Sequence, residues 1–214
     1  MTQEEDAALN TWINEQLEKG YIEPSISPYT SSFFFIKKKD GKLHPVQDYR
    51  IINSHMVRNQ YPLPLISDLI RDLGGARLYT KFDVRQGYNN ICIREADAHT
   101  KAAFKTRRGL HQPRVMMFGL CNSPATFQAF MNDRYRQTIA KHEALGTFIH
   151  IYMDDIAIAT KLAGSTNEIR AAHVAAVADV LQVASNNDLY FKLEKCVFHA
   201  PSIDYLGVVL PQLG

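Results

Sequence analysis

Residues 147–160, TFIHIYMDDIAIAT, consist of two apolar runs on either side of Met153, Asp154 and Asp155. Apolar runs that flank a short polar turn are typical of a β-hairpin, so this stretch predicts two antiparallel strands with both carboxylates at their junction. Neighbouring carboxylates between apolar strands disfavour each other's ionisation unless a cation lies close by. The Asp-Asp pair indicates either a cation site or an ordinary solvated turn, and this stretch alone leaves both interpretations open.

A second acidic position upstream favours the cation site. Residues 78–93, LYTKFDVRQGYNNICI, begin as an alternating strand and place Asp83 between Phe82 and Val84, where an unpaired carboxylate is costly to bury. Two strand-borne acidic sites that meet across a sheet could hold two divalent cations, the arrangement used in phosphoryl transfer. Because Mg²⁺ takes oxygen ligands from one or two carboxylates together with water and phosphates, the pattern predicts a nucleotidyl-transfer site.

Composition limits the class of protein. A chain of 214 residues with 46% hydrophobic content can bury a sizeable core, in one large domain or two small ones. The formal charge of +2 does not by itself indicate a nucleic-acid partner, and the lysines within 37–42 fit either a phosphate contact or a solvated face. Three widely spaced cysteines favour a reducing, intracellular setting over disulfides or zinc. No long apolar run or leader pattern occurs, so no membrane partner is expected.

The rest of the chain mixes helices and short strands without a regular βαβ order. This mixture favours an α+β fold with an antiparallel sheet over a doubly wound fold. Periodicity and capping signals predict helices over residues 3–19, 65–73, 123–141 and 165–186. Further strands are predicted over residues 32–38, 42–47, 91–104, 112–118, 196–198 and 203–209.

Several short segments occur in a fixed order along the chain. They are PVQDYR (45–50), FDVRQGY (82–88), FGL (118–120), SPATFQ (123–128) and YMDD (152–155). In this order they resemble the motifs of reverse transcriptases. With KKKDG (37–41), YPLP (61–64) and KCVF (195–198), they most resemble the enzymes of gypsy-type LTR retrotransposons, the metavirus family. The resemblance extends from about residue 22 to residue 210.

The resemblance implies a right-hand polymerase with fingers and a palm, whose antiparallel sheet is backed by helices. Residues 1–20 would form an N-terminal helix, residues 21–80 with part of 95–120 the fingers, and residues 81–94 with 119–214 the palm. We expect no thumb and no RNase H within these residues. These residues alone are therefore expected to fold, but to bind primer–template weakly and to extend it poorly or not at all.

The implied activity is RNA-directed and DNA-directed DNA polymerisation with two Mg²⁺ ions, for which Mn²⁺ would substitute. Asp83 and Asp154 would bind the ions and Asp155 would support the cluster. Lys195 would protonate the leaving pyrophosphate. The implied partners are an RNA or DNA template with its primer, and dNTPs.

Further site residues follow from the same resemblance. Tyr88 would lie under the nucleotide sugar and exclude a 2′-hydroxyl group. The implied nucleotide-binding residues are Lys38, His44, Val84, Tyr88, Phe118 and Met153. The implied template- and primer-binding residues are Arg50, Ser123, Pro124, Leu206 and Gly207. The chain departs from the family's pattern at two positions. His44 replaces an arginine that is common in the family and binds phosphate, and Met117 replaces a proline that is common in the family.

Two other functions remain open at the level of the sequence. A catalytically silent copy could serve as a nucleic-acid-binding or scaffold module, although intact acids at 83, 154 and 155 argue against it. A metal-dependent phosphohydrolase is the other, but no histidine near the acids would activate water. In the polymerase interpretation the natural context is a polyprotein with protease, RNase H and integrase, located in a cytoplasmic particle and the nucleus.

Overall fold

The computed structural model describes residues 2–38, 41–95, 97 and 102–211. The chain divides into two compact units, the first formed by Met1–Asn59 with Tyr88–Ser123 and the second by Gln60–Gly87 with Pro124–Gly214. Within the described residues, no helix combines the length and apolar character needed to cross a bilayer.

Helices and strands follow one another irregularly along the chain, as the α+β prediction requires. The α-helices of the described residues are α1 (Gln3–Glu18), α2 (Arg50–His55), α3 (Ile66–Leu73), α4 (Ser123–Glu143) and α5 (Thr166–Asn186). The strands are β1 (Ile22–Pro24), β2 (Ser31–Lys37), β3 (Leu43–Gln47), β4 (Leu78–Asp83), β5 (Phe104–Thr106), β6 (Gly109–Pro113), β7 (Thr147–Tyr152), β8 (Asp155–Thr160), β9 (Val197–Ala200), β10 (Ile203–Tyr205) and β11 (Val208–Leu210). Short 3₁₀ turns cover Gly87–Asn90 and Leu193–Lys195.

The first unit is built on a five-stranded sheet in the order β1-β6-β5-β2-β3, antiparallel except for the β2–β5 pair. The predicted hairpin over residues 32–47 is confirmed, with β2 and β3 paired from Phe33–Gln47 to Lys37–Leu43. Lys39 and Asp40, at its predicted turn, lie outside the described residues.

Helix α1 covers the core of this unit. The helix begins with a capping box in which the side chains of Thr2 and Glu5 each accept the other's backbone N–H. Its apolar face buries Leu9 and Ile13 against a cluster that contains Tyr49 and Phe104. The predicted N-terminal amphipathic helix is therefore confirmed as part of the first unit's core.

The strands predicted over residues 91–104 and 112–118 were wrong in length. The regular ladder is limited to β5 and β6, which are joined by a turn between Thr106 and Gly109. Before it, Cys92 and Val115 form only an isolated bridge, and Glu95 and Asp97 are helical. Acidic residues have low strand propensity, which agrees with the helical backbone of Glu95 and Asp97. Residues 96 and 98–101 of the predicted strand lie outside the described residues.

The second unit is built on a four-stranded antiparallel sheet in the order β7-β8-β4-β9. Strands β10 and β11 form a separate antiparallel pair. Helix α5 begins with the predicted capping box between Ser165 and Glu168 and buries Ile169, His173 and Val180. The predicted α+β class, with an antiparallel sheet and helices, is confirmed.

Gly87 begins the 3₁₀ turn that follows β4, and its environment leaves no room for a side chain. A Cβ atom there would lie 2.5 Å from Cζ of Phe127, whose ring is fully buried. Gly87→Ala should therefore force the ring to shift and lower the free energy of unfolding by about 1–3 kcal/mol in urea titrations. Adding Phe127→Leu to Gly87→Ala should recover part of the lost free energy of unfolding. If the effects of the two substitutions simply add, the proposed clash between the new Cβ and the Phe127 ring is wrong.

Candidate active site

The β7–β8 hairpin brings the predicted acidic residues to one end of the second unit's sheet. Tyr152 pairs with Asp155 and closes the ladder, which leaves Met153 and Asp154 as a two-residue turn. Asp155 is therefore the first residue of β8 rather than part of the turn. On its other side β8 pairs with β4, and Asp155 lies directly opposite Asp83. The sheet register thus joins two of the three predicted carboxylates as a cross-strand pair.

Two lysine side chains hold Asp83. Lys192 Nζ donates a hydrogen bond to Oδ1 of Asp83, and Lys195 Nζ donates one to Oδ2 at 3.1 Å. Burial raises the pKa of Asp83, which is only 8% exposed, but the two ammonium groups outweigh burial and keep that pKa below its usual value. The hydrogen bond from Lys195 and the charge of Asp83 raise the pKa of Lys195. Asp83 is therefore an ionised carboxylate in contact with two cations.

Asp155 lies in a less favourable electrostatic environment. Lys81 Nζ is 3.3 Å from its Oδ1 and also donates to the carbonyl oxygen of Asp204 at 3.1 Å. Burial raises the pKa of Asp155, Lys81 lowers it, and the charges of Asp154 and Asp83 raise it again, so that the pKa is above its usual value. Additional positive charge here would stabilise the ionised carboxylates.

An open cavity of about 490 Å³ gives access to this pair. Its lining residues are Lys81, Asp83, Asp155, Lys195, Val197, Asp204, Leu206 and Gly207. Leu206 (φ 52°) and Gly207 (φ 80°) form the tight turn between β10 and β11. A leucine in the left-handed region is strained, and such strain persists where the surrounding structure fixes it, often at functional sites. The predicted primer-binding turn therefore shares one cavity with Asp83 and Asp155.

Helix α4 anchors the turn that carries Asp154. Met153 has φ 56°, which is uncommon for a non-glycine residue. The fully buried side chain of Gln128 accepts the Met153 N–H at 2.8 Å and donates to the Ile151 carbonyl at 3.0 Å. Val84 N–H donates to the carbonyl oxygen of Asp154 at 2.7 Å. These bonds fix the backbone of the turn and keep Asp154 next to β4.

Comparison with known proteins agrees with this geometry. The model of the family described as reverse transcriptase (RNA-dependent DNA polymerase) matches residues 36–210. The chain belongs to the reverse transcriptase family. The family predicted from the motifs is therefore confirmed.

This reverse transcriptase domain is similar to retrotransposon polyproteins of Schizosaccharomyces pombe. It is 37% identical over 207 residues to the transposon Tf2-3 polyprotein and 35% identical over 207 residues to the Tf2-7 polyprotein. Each match covers 97% of this chain and 14% of the polyprotein. The chain therefore spans about a seventh of the length of these relatives.

Solved structures share the fold. The foamy viral protease-reverse transcriptase dRH in complex with ds DNA superposes with a TM-score of 0.84 at 20% identity, over 100% of this chain and 35% of that one. The foamy viral protease-reverse transcriptase in complex with RNA/DNA hybrid gives a TM-score of 0.82 at 18% identity, over 100% of this chain and 27% of that one. At these identities the likeness establishes the reverse transcriptase fold.

The predicted phosphate- and template-contacting residues belong to the first unit. Lys38 is exposed at the end of the β2–β3 hairpin. Burial and the charge of Lys38 lower the pKa of His44, so the imidazole is neutral near pH 7.

The side chain of Arg50 is 88% exposed, but its Nε and Nη2 donate hydrogen bonds to the two carboxylate oxygens of Asp48 at 2.8 and 2.6 Å. These hydrogen bonds and the arginine's charge lower the pKa of Asp48 to about 2. Template binding through Arg50, which stays a prediction, would compete with this ion pair.

The other residues predicted to bind the nucleotide or the template differ in how deeply they are buried. The rings of Tyr88 and Phe118 are 4.9 Å apart between centroids, and Phe118 is largely exposed. Ser123 is buried, and its hydroxyl donates to the Met117 carbonyl at 3.1 Å; Pro124 follows in the first turn of α4. Val84 is fully buried. The ligand-binding roles of these residues stay predictions.

Three residues around the acids were missed by sequence reasoning. Lys81 could have been found, because residues two apart on a strand share a face and Lys81 precedes Asp83 by two. Gln128 lies within the SPATFQ segment, but only the structure reveals its contact with the β7–β8 turn. No local sequence pattern predicts the role of Lys192, because its contact with Asp83 joins residues 109 positions apart.

The donor set fits a hard divalent cation. Asp83 and Asp155 provide carboxylate oxygens beside a cavity, and lysine ammonium groups contact both carboxylates. Mg²⁺ needs only one or two protein carboxylates when water and substrate phosphates supply the remaining ligands. As they are placed, the described side chains do not form a group of three His, Cys, Asp or Glu that could hold a metal. The donor set therefore fits a divalent cation that takes its remaining ligands from water or from other oxygen donors in the open cavity.

Proposed function

We propose that this domain is the polymerase of a retrotransposon polyprotein and transfers nucleotides from dNTPs to a primer 3′-hydroxyl on an RNA or DNA template. The cross-strand pair of Asp83 and Asp155, open to a cavity with Asp154 in the adjoining turn, is the observation that carries this proposal. Acidic residues on rigid strands are positioned precisely enough for phosphoryl transfer, in which positioning and charge supply most of the catalysis.

In this proposal Asp83, Asp154 and Asp155 hold two divalent cations, normally Mg²⁺, with Mn²⁺ as a substitute. When bound, the cations would strengthen the primer hydroxyl as a nucleophile and neutralise charge on the triphosphate. The sheet orients the carboxylates, and Gln128 and Val84 hold the backbone of the turn that carries Asp154. Lys195 Nζ, protonated through its contact with Asp83, is placed to deliver a proton to the leaving pyrophosphate.

The remaining binding roles are proposed on the family's motifs. The first unit, with Lys38, His44 and Arg50, would correspond to the fingers, and the second unit, with the acidic residues, to the palm. Leu206 and Gly207, which line the cavity of Asp83, would contact the primer end. The natural context would be a polyprotein with protease, RNase H and integrase, located in a cytoplasmic particle and the nucleus.

Tyr88 supplies a prediction about sugar selection. Its ring would exclude a 2′-hydroxyl, so Tyr88→Val should lower the ratio of kcat/KM for dNTP to that for rNTP at least tenfold, about 1.4 kcal/mol of discrimination. Tyr29→Val, at an exposed tyrosine of the same unit, is the matched control and should leave the ratio unchanged. An equal ratio in Tyr88→Val and the parent would remove Tyr88 from the sugar site.

The test of the proposed function is templated incorporation of one radiolabelled dNTP by this domain joined to the residues that follow it in its natural polyprotein. We expect incorporation in Mg²⁺ on RNA and DNA templates, with the nucleotide dictated by the template, and none in EDTA. A silent nucleic-acid-binding module would bind primer–template without incorporation. A phosphohydrolase would release phosphate from dNTP without extending the primer. Either of these two results would contradict the polymerase proposal.

A further inference from the structure

The backbone fixes Lys192 beside Asp83. Val84 and Phe191 form an antiparallel bridge, Arg85 N–H donates to the Tyr190 carbonyl at 2.6 Å, and Lys192 N–H donates to the Asp83 carbonyl at 2.9 Å. The segment that carries Lys192 is thus paired to the end of β4. Cys196 Sγ donates to the carbonyl oxygen of Lys192 at 3.2 Å and closes the following turn. Lys192 can therefore move its side chain, but its Cα stays next to Asp83.

The two lysines on Asp83 differ in how they are held. Lys192 caps the 3₁₀ turn that ends at Lys195, and residues three apart in such a turn lie on the same side, which brings both ammonium groups to one carboxylate. The side chain of Lys195 is 57% exposed and that of Lys192 only 29%. Lys195 has room to swing towards a substrate, whereas Lys192 stays partly enclosed beside the carboxylate.

We propose that Lys192 is a tethered counter-cation of Asp83, which competes with the divalent cation for this carboxylate and so sets the metal concentration that the domain requires. The proposal rests on the proposed function in one respect, the assignment of Asp83 as a metal ligand. Lys192 Nζ occupies Oδ1 of Asp83, so an incoming cation that binds this oxygen must displace the ammonium group. Asp83 thereby stays neutralised when no metal is present, at the expense of weaker metal binding.

The proposal predicts tighter metal binding when the charge of Lys192 is removed. Lys192→Gln keeps a side chain of similar length and should lower the Kd for Mn²⁺ about tenfold, measured from the electron paramagnetic resonance signal of free Mn²⁺ without nucleotide or nucleic acid. Lys161→Gln removes an equal charge just beyond the opposite end of β8, about 20 Å along the strand, and should leave the Kd unchanged. Circular dichroism checks that both variants fold.

A second measurement uses the unaltered chain and does not depend on how Lys192→Gln folds. If the cation displaces Lys192 from Asp83, Mg²⁺ should increase the rate at which an amine-specific reagent labels Lys192, read by mass spectrometry with Lys161 as internal reference. An unchanged or lower labelling rate in Mg²⁺ would overturn the proposal.

The outcomes separate this proposal from the one on which it rests. If the parent binds Mn²⁺ and Lys192→Gln binds it no more tightly, the competition by Lys192 is wrong while the polymerase assignment stands. If neither protein binds Mn²⁺ and Asp83→Asn behaves like the parent, the metal-ligand assignment itself is wrong, and the proposed function fails together with this inference.

Discussion

Asp154→Asn is expected to reduce primer extension at least a hundredfold while leaving the fold intact. Asp154 lies in an exposed turn whose backbone is held by Gln128 and Val84, so the amide should fit without rearrangement. The substitution removes a full negative charge beside the Asp83–Asp155 pair, and a hundredfold loss corresponds to about 2.7 kcal/mol of transition-state stabilisation. The measurement is the single-turnover rate of extension in Mg²⁺, for the domain joined to the residues that follow it in its natural polyprotein.

The control for this substitution is Asp133→Asn, which removes a carboxylate ion-paired with Arg136 on the surface of α4. It should extend primers at the parent's rate. If Asp154→Asn retained more than about a tenth of the parent's rate, Asp154 would have no essential part in metal binding.

The second large effect concerns acid stability and depends on His173. This fully buried histidine on α5 bonds the hydroxyl of Thr80 through Nε2 and that of Thr160 through Nδ1, both at 2.8 Å. Burial, followed by the neighbouring ring of His199, lowers the pKa of His173 from 6.5 to about 4. The folded chain thus keeps His173 neutral, while the unfolded chain binds a proton below about pH 6.5.

The sign of the effect follows from this difference. Because the unfolded state binds more protons, the contribution of His173 is fully present above about pH 6.5 and is lost as the pH falls through the folded-state pKa of about 4. The loss amounts to about 3 kcal/mol of the free energy of unfolding. Urea titrations between about pH 7 and pH 4 should show it.

His173→Gln provides the comparison for the acid-stability prediction. Glutamine retains a donor and an acceptor for the two threonine hydroxyls but does not titrate. The difference in free energy of unfolding between the parent and His173→Gln should therefore shift by about 3 kcal/mol in favour of the variant as the pH is lowered. A difference that is independent of pH would show that His173 does not titrate in this range.

Local sequence patterns predicted much of the fold. Alternating Ile and Phe residues on either side of Met153 and Asp154 predicted the β7–β8 hairpin, and the Ser165–Glu168 capping box predicted the start of α5. Each of these elements depends on residues close together in the chain. The strand predicted over residues 91–104 was wrong at Glu95 and Asp97, which are helical, because apolar residues at both ends of the range masked the low strand propensity of these acidic residues.

The site required contacts that local patterns do not specify. The pairing of Asp83 with Asp155 depends on the register between β4 and β8, which are far apart in the chain, and a shift of one residue would turn one carboxylate to the other face. The lysines that neutralise Asp83 come from a third segment, and the β10–β11 turn completes the cavity. Motif order predicted the acids and Lys195 as site residues, but not Lys81 or Lys192, which also contact the carboxylates.

Single-nucleotide incorporation by the parent and by Asp83→Asn, each joined to the residues that follow it in its natural polyprotein, tests the polymerase assignment. The parent is expected to add the templated dNTP in Mg²⁺, on RNA and on DNA, and Asp83→Asn to add none detectably, because Asp83 is the carboxylate on which the two lysines and the proposed cations converge. Incorporation by Asp83→Asn at the parent's rate, or none by the parent while it binds primer–template and Mg²⁺, would contradict the assignment.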